Sequence, residues 1–417
     1  MKGFYATQVR GAMIQLASIV SIVSQNFLAP RVLGAEEFGL AVLLLSTPLV
    51  VQGLAEPVLM SLTIRWSSRG EAAGEELDRL AALWRDLFAW SAAGAALCIA
   101  FALHTLGAAE WERGLALGAW VAGLLLLTVN TIAVLGLAYR ADEYRALLRF
   151  YLLSGAVLPA GLLLFSSWGA AGFFFSLSLI QVLGCASLLA AERIRTPYLA
   201  VLRRLRGGAG AAASRGDYAS LLAPRLAVVL FSVVTVLLAS FHMGLEQVAA
   251  LKVTLSLVAA GTYALPVSPW MLQAALTATG EDGAGRSRRH GAVVLGAVFA
   301  SGCVLAAVLY VWGGVIRSHV LGVGYPAADL DPLFLSLPFF VLINPLSSYL
   351  IAHGEERYLT WGLGAAVLCM AGGFATGHLV GAFVLGTMAF VGVSAGLASR
   401  AGRPLVAGRV EERPLGG

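Results

Sequence analysis

Polar residues along this chain come in short clusters separated by long apolar runs, and the runs have the length of membrane-crossing helices. Apolar segments cover 11–29, 38–63, 87–106, 114–138, 148–166 and 169–190, then 219–242, 248–277, 291–315, 332–352, 359–377 and 379–398. A bilayer core needs about 20 apolar residues per helix, and backbone in contact with lipid must satisfy its own hydrogen bonds. The pattern therefore predicts an all-α, polytopic membrane protein of about twelve transmembrane helices. Residues 1–191 form a first six-helix lobe, 192–217 an Arg-, Gly- and Ala-rich linker, 218–399 a second six-helix lobe and 400–417 a tail.

Composition strengthens this picture. Of 417 residues, 59% are hydrophobic and 12% charged, against roughly 45–50% and about 25% in soluble domains. A mean hydropathy of +0.83 excludes a soluble enzyme and a soluble domain on a single anchor, and the connections are too short to hold a catalytic domain. The first apolar run ends at Pro30 and Arg31 without a small-residue cleavage site, so it is expected to be retained. Of 28 basic residues, 23 fall in segments on one side of the membrane, Arg31, Arg113 and Arg317 on the other, and Arg225 and Lys252 within spans. By the positive-inside rule both termini are expected to be cytoplasmic, and the net charge of +5 reports topology rather than affinity for nucleic acid. Cys98, Cys185, Cys303 and Cys369 lie in apolar runs, where cysteine reads as a buried hydrophobe. His104, His353 and His378 are scattered, so neither a metal site nor a cofactor is expected.

The two halves carry a repeat. A shift of 210 residues places Leu33-Gly34-Ala35-Glu36-Glu37-Phe38-Gly39 on Met243-Gly244-Leu245-Glu246-Gln247-Val248-Ala249, matching Gly34 with Gly244 and Glu36 with Glu246. Glycine ends one helix and the acidic residue begins the next, where the helix dipole favours it. Halves with an even number of spans share an orientation, so they are expected to be pseudo-symmetric about an axis along the membrane normal.

The segment Phe27-Leu28-Ala29-Pro30-Arg31-Val32-Leu33-Gly34-Ala35-Glu36-Glu37-Phe38-Gly39-Leu40 resembles the N-terminal signature of Wzx-type lipid-linked oligosaccharide flippases (O-antigen and exopolysaccharide exporters) in the MATE/MOP superfamily. Leu321-Gly322-Val323-Gly324-Tyr325-Pro326-Ala327-Ala328 is similar to that family's external Gly-x-x-Tyr segment. The resemblance covers nearly the whole chain. It implies a V-shaped pair of lobes around a central cavity, working by alternating access in the bacterial inner membrane. The implied cargo is an undecaprenyl-pyrophosphate-linked glycan for surface polysaccharide biosynthesis. Membrane lipids, a coupling proton or sodium ion and the polysaccharide polymerase machinery are the implied partners, with no nucleic acid. Peptidoglycan-precursor flippases of the superfamily commonly carry two further spans.

A pyrophosphate crossing hydrocarbon calls for cations, and ionisable residues within spans are costly and therefore candidates for function. Arg10 and Arg225 stand at the inner ends of the first spans of the two lobes, and Arg31 and Lys252 near the outer face. Arginine can bind phosphate oxygens bidentately; the alternative is that these side chains snorkel to the interface. Glu56, nine residues before Arg65, is a candidate coupling carboxyl or the partner of a cavity arginine. Gln15, Gln25, Asn26, Asn130 and Gln181 are candidates for binding sugar hydroxyls, or else for fastening helices together. Pro266, Pro269 and Asn344-Pro345 interrupt the backbone ladder of their spans. Two other functions stay open: a cation-coupled multidrug exporter, which would favour an acidic cavity, and a membrane glycosyltransferase using Asp329-Leu330-Asp331. No glycine-rich nucleotide loop is present.

Overall fold

A computed structural model describes residues 13, 14, 17, 19–21, 23–68, 73–141, 143–206, 226, 227, 229–264, 284–321, 328–353, 355 and 357–401. Every regular element among them is helical. The first lobe runs α1 (Ile19–Leu33), α2 (Ala35–Ser68), α3 (Ala73–Leu106), α4 (Trp111–Arg140), α5 (Tyr144–Leu164) and α6 (Ala170–Leu189). Then comes α7 (Glu192–Arg206). The second lobe comprises α8 (Leu230–Ala239), α9 (Leu245–Ala264), α10 (Ala284–Leu321), α11 (Asp329–Ile351), α12 (Arg357–Thr376) and α13 (Leu379–Ala401). Nine helices among the described residues are long and apolar enough to cross a bilayer, and the shorter apolar helices α1 and α8 open the two lobes. With α9, each of the twelve apolar runs has its helix.

The helices join at one end through tight turns. Gly34, Gly107, Gly169 and Gly377, at φ 79°, 72°, 58° and 74°, close four hairpins there, because glycine takes the left-handed conformation without a Cβ clash. We call this the hairpin end. The opposite, arginine-rich end carries Arg145, Arg149 and the arginines of α7. Large apolar side chains that point outward, such as Trp90, Leu164, Val311, Trp312, Trp361 and Leu368, would be unsatisfactory in water and form a surface for lipid.

The segment 192–217, expected as a linker, is helical over Glu192–Arg206. Its buried Ile194 and Val201 pack into a cluster with Leu80, Trp84 and Leu137, so an apolar stripe on an otherwise charged segment holds it to the first lobe. In α11 the helix is interrupted at Val341 and Leu342. Pro345 has no N–H to donate to the Val341 carbonyl, and the ladder resumes where the Leu346 N–H donates to Leu342 O at 2.8 Å.

The lobes touch mainly along α2 and α9. Gly39 of α2 lies so near the first turn of α9 that a Cβ placed there would meet the Leu245 carbonyl oxygen at 2.1 Å. Farther along α2, a Cβ on Gly53 would meet Val229 Cγ2 at 2.4 Å. The hairpin end is thereby closed between the lobes.

Candidate functional site

A cavity of about 390 Å³ lies inside the first lobe, between α1, α2, α4, α5 and α6. Each helix contributes one face at helical spacing: Leu45, Pro48, Leu49 and Gln52 from α2, Leu124, Thr128, Thr131, Ile132 and Leu135 from α4, and Leu177, Ile180 and Gln181 from α6. Ser21 and Gln25 of α1 and Phe150, Tyr151 and Ser154 of α5 complete the wall. The described lining residues include no charged side chain. Polarity comes instead from amides and hydroxyls. Thr131 donates to Leu127 O and Ser154 to Phe150 O, both at 2.9 Å, so each hydroxyl proton is engaged within its own helix while its oxygen can still accept from a ligand.

Toward the second lobe the wall is shared with a void of about 10 Å³, just room for a water, lined by Gln25, Asn26, Ser46, Ser232 and Lys252 among others. Gln25, Leu45 and Leu49 border both spaces. Lys252 lies about two turns into α9, deeper than its run of apolar neighbours suggests, because the helix begins at Leu245. Among the described residues no carboxylate pairs with it. The Ser256 hydroxyl is shared between Asn26 Oδ1 and the Lys252 carbonyl, both at 2.8 Å, which ties α1 to α9 across the lobes.

Both lobes distort their first helix at this level. Residues Ser24–Leu28 in α1 and Leu230–Val234 in α8 each form one wide turn with i→i+5 hydrogen bonding. Such turns are rare and concentrate at functional sites. In α1 the wide turn contains Gln25 and Asn26 and presents them to the space between the lobes.

The structure thus brings together Gln25, Asn26, Gln181 and Lys252. It separates the others. Asn130 accepts from the Tyr198 hydroxyl at 3.1 Å and donates to Cys185 Sγ at 3.5 Å, so it fastens α7 to the lobe rather than lining the cavity; burial pushes the Tyr198 phenol up and keeps it neutral. Arg31 is exposed in the last turn of α1. Arg10, Gln15 and Arg225 lie outside the described residues, as do Pro266, Pro269 and the side chain of Glu56. The hydroxyls of Ser21, Thr128, Thr131, Tyr151 and Ser154 escaped the sequence reading. The signal for them is their helical spacing on the cavity face of each span.

Two charge clusters also depart from expectation. Arg317, assigned by its position to a loop, is 2% exposed inside α10, which continues to Leu321. It pairs with Asp331, donates to Thr254 Oγ1 at 3.3 Å and lies over the Phe334 ring at 5.7 Å. Asp331 is therefore the partner of Arg317 and Asp329 is exposed, so Asp329-Leu330-Asp331 is not an open diacid for a metal. In the first lobe Glu36, the residue matched in the repeat, is exposed, and its neighbour Glu37 makes the contacts. Glu37 pairs with Arg113, which also holds Glu110 at 3.0 Å, and accepts the Ala170 N–H at 2.9 Å.

No protein-family model matches the chain, and no curated protein does either. Solved structures do match. The lipid II flippase MurJ, in an inward closed conformation, superposes with a TM-score of 0.66 at 12% identity over 94% of this chain and 87% of that one. The chain has a MurJ- and MATE-like fold. An inward-facing multidrug resistance MATE family transporter of the MOP superfamily matches at 0.60 and 13% identity, covering 94% of this chain and 96% of the other. A MOP-superfamily transporter from Pyrococcus furiosus, described as having a binding pocket of reversed polarity, matches at 0.53 and 13% identity over 96% and 95%. These neighbours are transporters and flippases rather than enzymes, and this chain shares their fold.

Proposed function

We propose that this protein is a MOP-superfamily flippase that moves a lipid-linked oligosaccharide from the inner to the outer leaflet of the bacterial inner membrane by alternating access. The arginine-rich end is cytoplasmic in this reading, with lobes at 1–191 and 218–399, a connection at 192–217 and a tail at 400–417. The observation that carries the cargo assignment is the chemistry of the cavity. Its wall holds amides and hydroxyls but no described carboxylate, and the one described cation beside it, Lys252, has no acidic partner among the described residues. Sugar hydroxyls pair well with Gln25, Gln52 and Gln181, and a phosphate oxygen with the Lys252 ammonium. Arg225 and Arg10 would meet the head group at the cytoplasmic end and Arg31 at the other, while Glu56 would take the coupling proton or sodium ion.

A multidrug exporter is the second reading, favoured by the MATE likeness. A cationic drug would need a carboxylate in the cavity, which the described wall lacks. The deciding measurement is flipping of a labelled lipid-linked oligosaccharide in proteoliposomes, with Gln181→Leu and Lys252→Gln alongside the unaltered protein. Flipping that falls in both variants supports the glycan reading. Absence of flipping, together with proton- or sodium-driven export of a cationic dye, would replace it with the drug exporter. Glycan flipping with unchanged pH and sodium dependence in Glu56→Gln removes Glu56 from coupling.

A further inference from the structure

The helix α7 follows α6 after only Ala190 and Ala191, so it sits where the bundle leaves the membrane. Its sequence, Glu-Arg-Ile-Arg-Thr-Pro-Tyr-Leu-Ala-Val-Leu-Arg-Arg-Leu-Arg, separates into faces at helical spacing. Ile194 and Val201 are fully buried against the first lobe, and Tyr198 lies with its ring 5.7 Å from that of Trp84. On one flank the arginines are matched by the lobe: Arg204 Nε is 2.7 Å from Asp78 Oδ1, and Arg193 is 3.7 Å from Glu143. On the other flank Arg195 and Arg203 stand one turn either side of Leu199. All three are exposed, and among the described residues no carboxylate pairs with Arg195 or Arg203.

We propose that the Arg195–Leu199–Arg203 stripe of α7 is a binding surface for anionic phospholipid headgroups. The argument is the asymmetry between the flanks. Arg204 and Arg193 each have a lobe carboxylate beside them, although Arg193 is itself 79% exposed, whereas Arg195 and Arg203 alternate with an exposed leucine and have no carboxylate partner among the described residues. A free soluble phosphate would gain nothing from Leu199. A headgroup layer takes the guanidinium groups at the phosphates and the leucine at the acyl boundary, the recognised chemistry of interfacial amphipathic helices. Bound in this way, α7 lies in the membrane plane on the side of the first lobe. The proposal rests on membrane insertion and not on the identity of the cargo.

The test uses the full-length protein purified in detergent, with binding of phosphatidylglycerol and phosphatidylcholine followed by native mass spectrometry. Phosphatidylglycerol should be preferred, and Arg195→Gln with Arg203→Gln should weaken its tightest binding about twenty-five-fold, from roughly fivefold per arginine at a charged surface. Arg193→Gln with Arg204→Gln, on the acid-matched flank, should leave that affinity unchanged, and Arg195→Lys with Arg203→Lys should largely restore it. Equal binding of the two lipids, an unaffected glutamine pair on the exposed flank, or the same loss from both flanks overturns the proposal. A second measurement keeps the arginines in place: a spin label at Leu199→Cys should lie deeper in vesicles containing phosphatidylglycerol than in phosphatidylcholine alone. Equal depth in both also overturns it.

Discussion

The two lobes fasten their hairpin ends with the same kind of bond in opposite settings. In the first lobe Glu37 and Arg113 meet at the surface, their side chains 33% and 45% exposed. In the second, Arg317 is buried and only Asp331 reaches solvent. The exposed pair is screened and its loss costs little, whereas removing one partner of a buried pair is strongly destabilising. The two lobes therefore differ in what secures them. The first lobe relies on a helix cap and a surface pair, the second on a buried charge pair.

Removing one partner of the buried pair should break that contrast most sharply. Asp331→Ala is expected to lower stability by about 3 kcal/mol or more, read as thermal unfolding in detergent. Replacing both partners, Arg317→Met with Asp331→Leu, should recover most of the loss, because no charge remains to be neutralised. A similar loss in the double variant would mean that packing, not charge, governs the site. Next in size is the contact between the lobes. Gly39→Val must displace backbone, since the atom it meets is the Leu245 carbonyl oxygen, at about 1–3 kcal/mol for overpacking. Spin-label distances across the hairpin end should lengthen and transport should fall. Gly53→Ala meets a side-chain methyl of Val229 rather than backbone, so its effect should be smaller; the reverse order would place the principal contact elsewhere.

In the first lobe, Glu37→Ala removes both the acceptor for the Ala170 N–H and the partner of Arg113, with an expected loss of about 1 kcal/mol. Arg113→Ala is expected to be the mildest, below about 1 kcal/mol and weaker still in high salt. If Arg113→Ala equalled Asp331→Ala in denaturation, the difference in burial between the lobes would have no energetic meaning.

Much of this architecture is legible as pattern. Apolar run lengths mark the helices, and glycine marks the turns at Gly34, Gly107, Gly169 and Gly377. Gly34 and Gly244 each precede a helix, but only Gly34 takes the left-handed conformation expected of both, and the match singled out Glu36 when Glu37 makes the contacts, because matching rewards identity while the contact depends on which side of the first turn faces Arg113. Arg317 was placed in a loop because hydropathy ends a span near the first charge. Its carboxylate is 14 residues away, beyond the reach of a local sum. Gln25, Asn26, Gln181 and Lys252 were recognisable as polar residues in apolar surroundings. Thr131 and Ser154 were not, since hydroxyls that bond within their own helix are unremarkable in a membrane span.

The sequence by itself determined that the chain lies in a membrane and about how many apolar helices it has. Those properties are sums over neighbouring residues: apolar length, turn-forming glycine and the spacing of like side chains. Only the tertiary structure decided which polar residues cancel one another, as Arg317 and Asp331 do, and which are left to line a space, as Gln25, Gln181 and Lys252 are. Cancellation needs contact between segments far apart in the chain, and the energy of a charge depends on what stands beside it after the helices have packed.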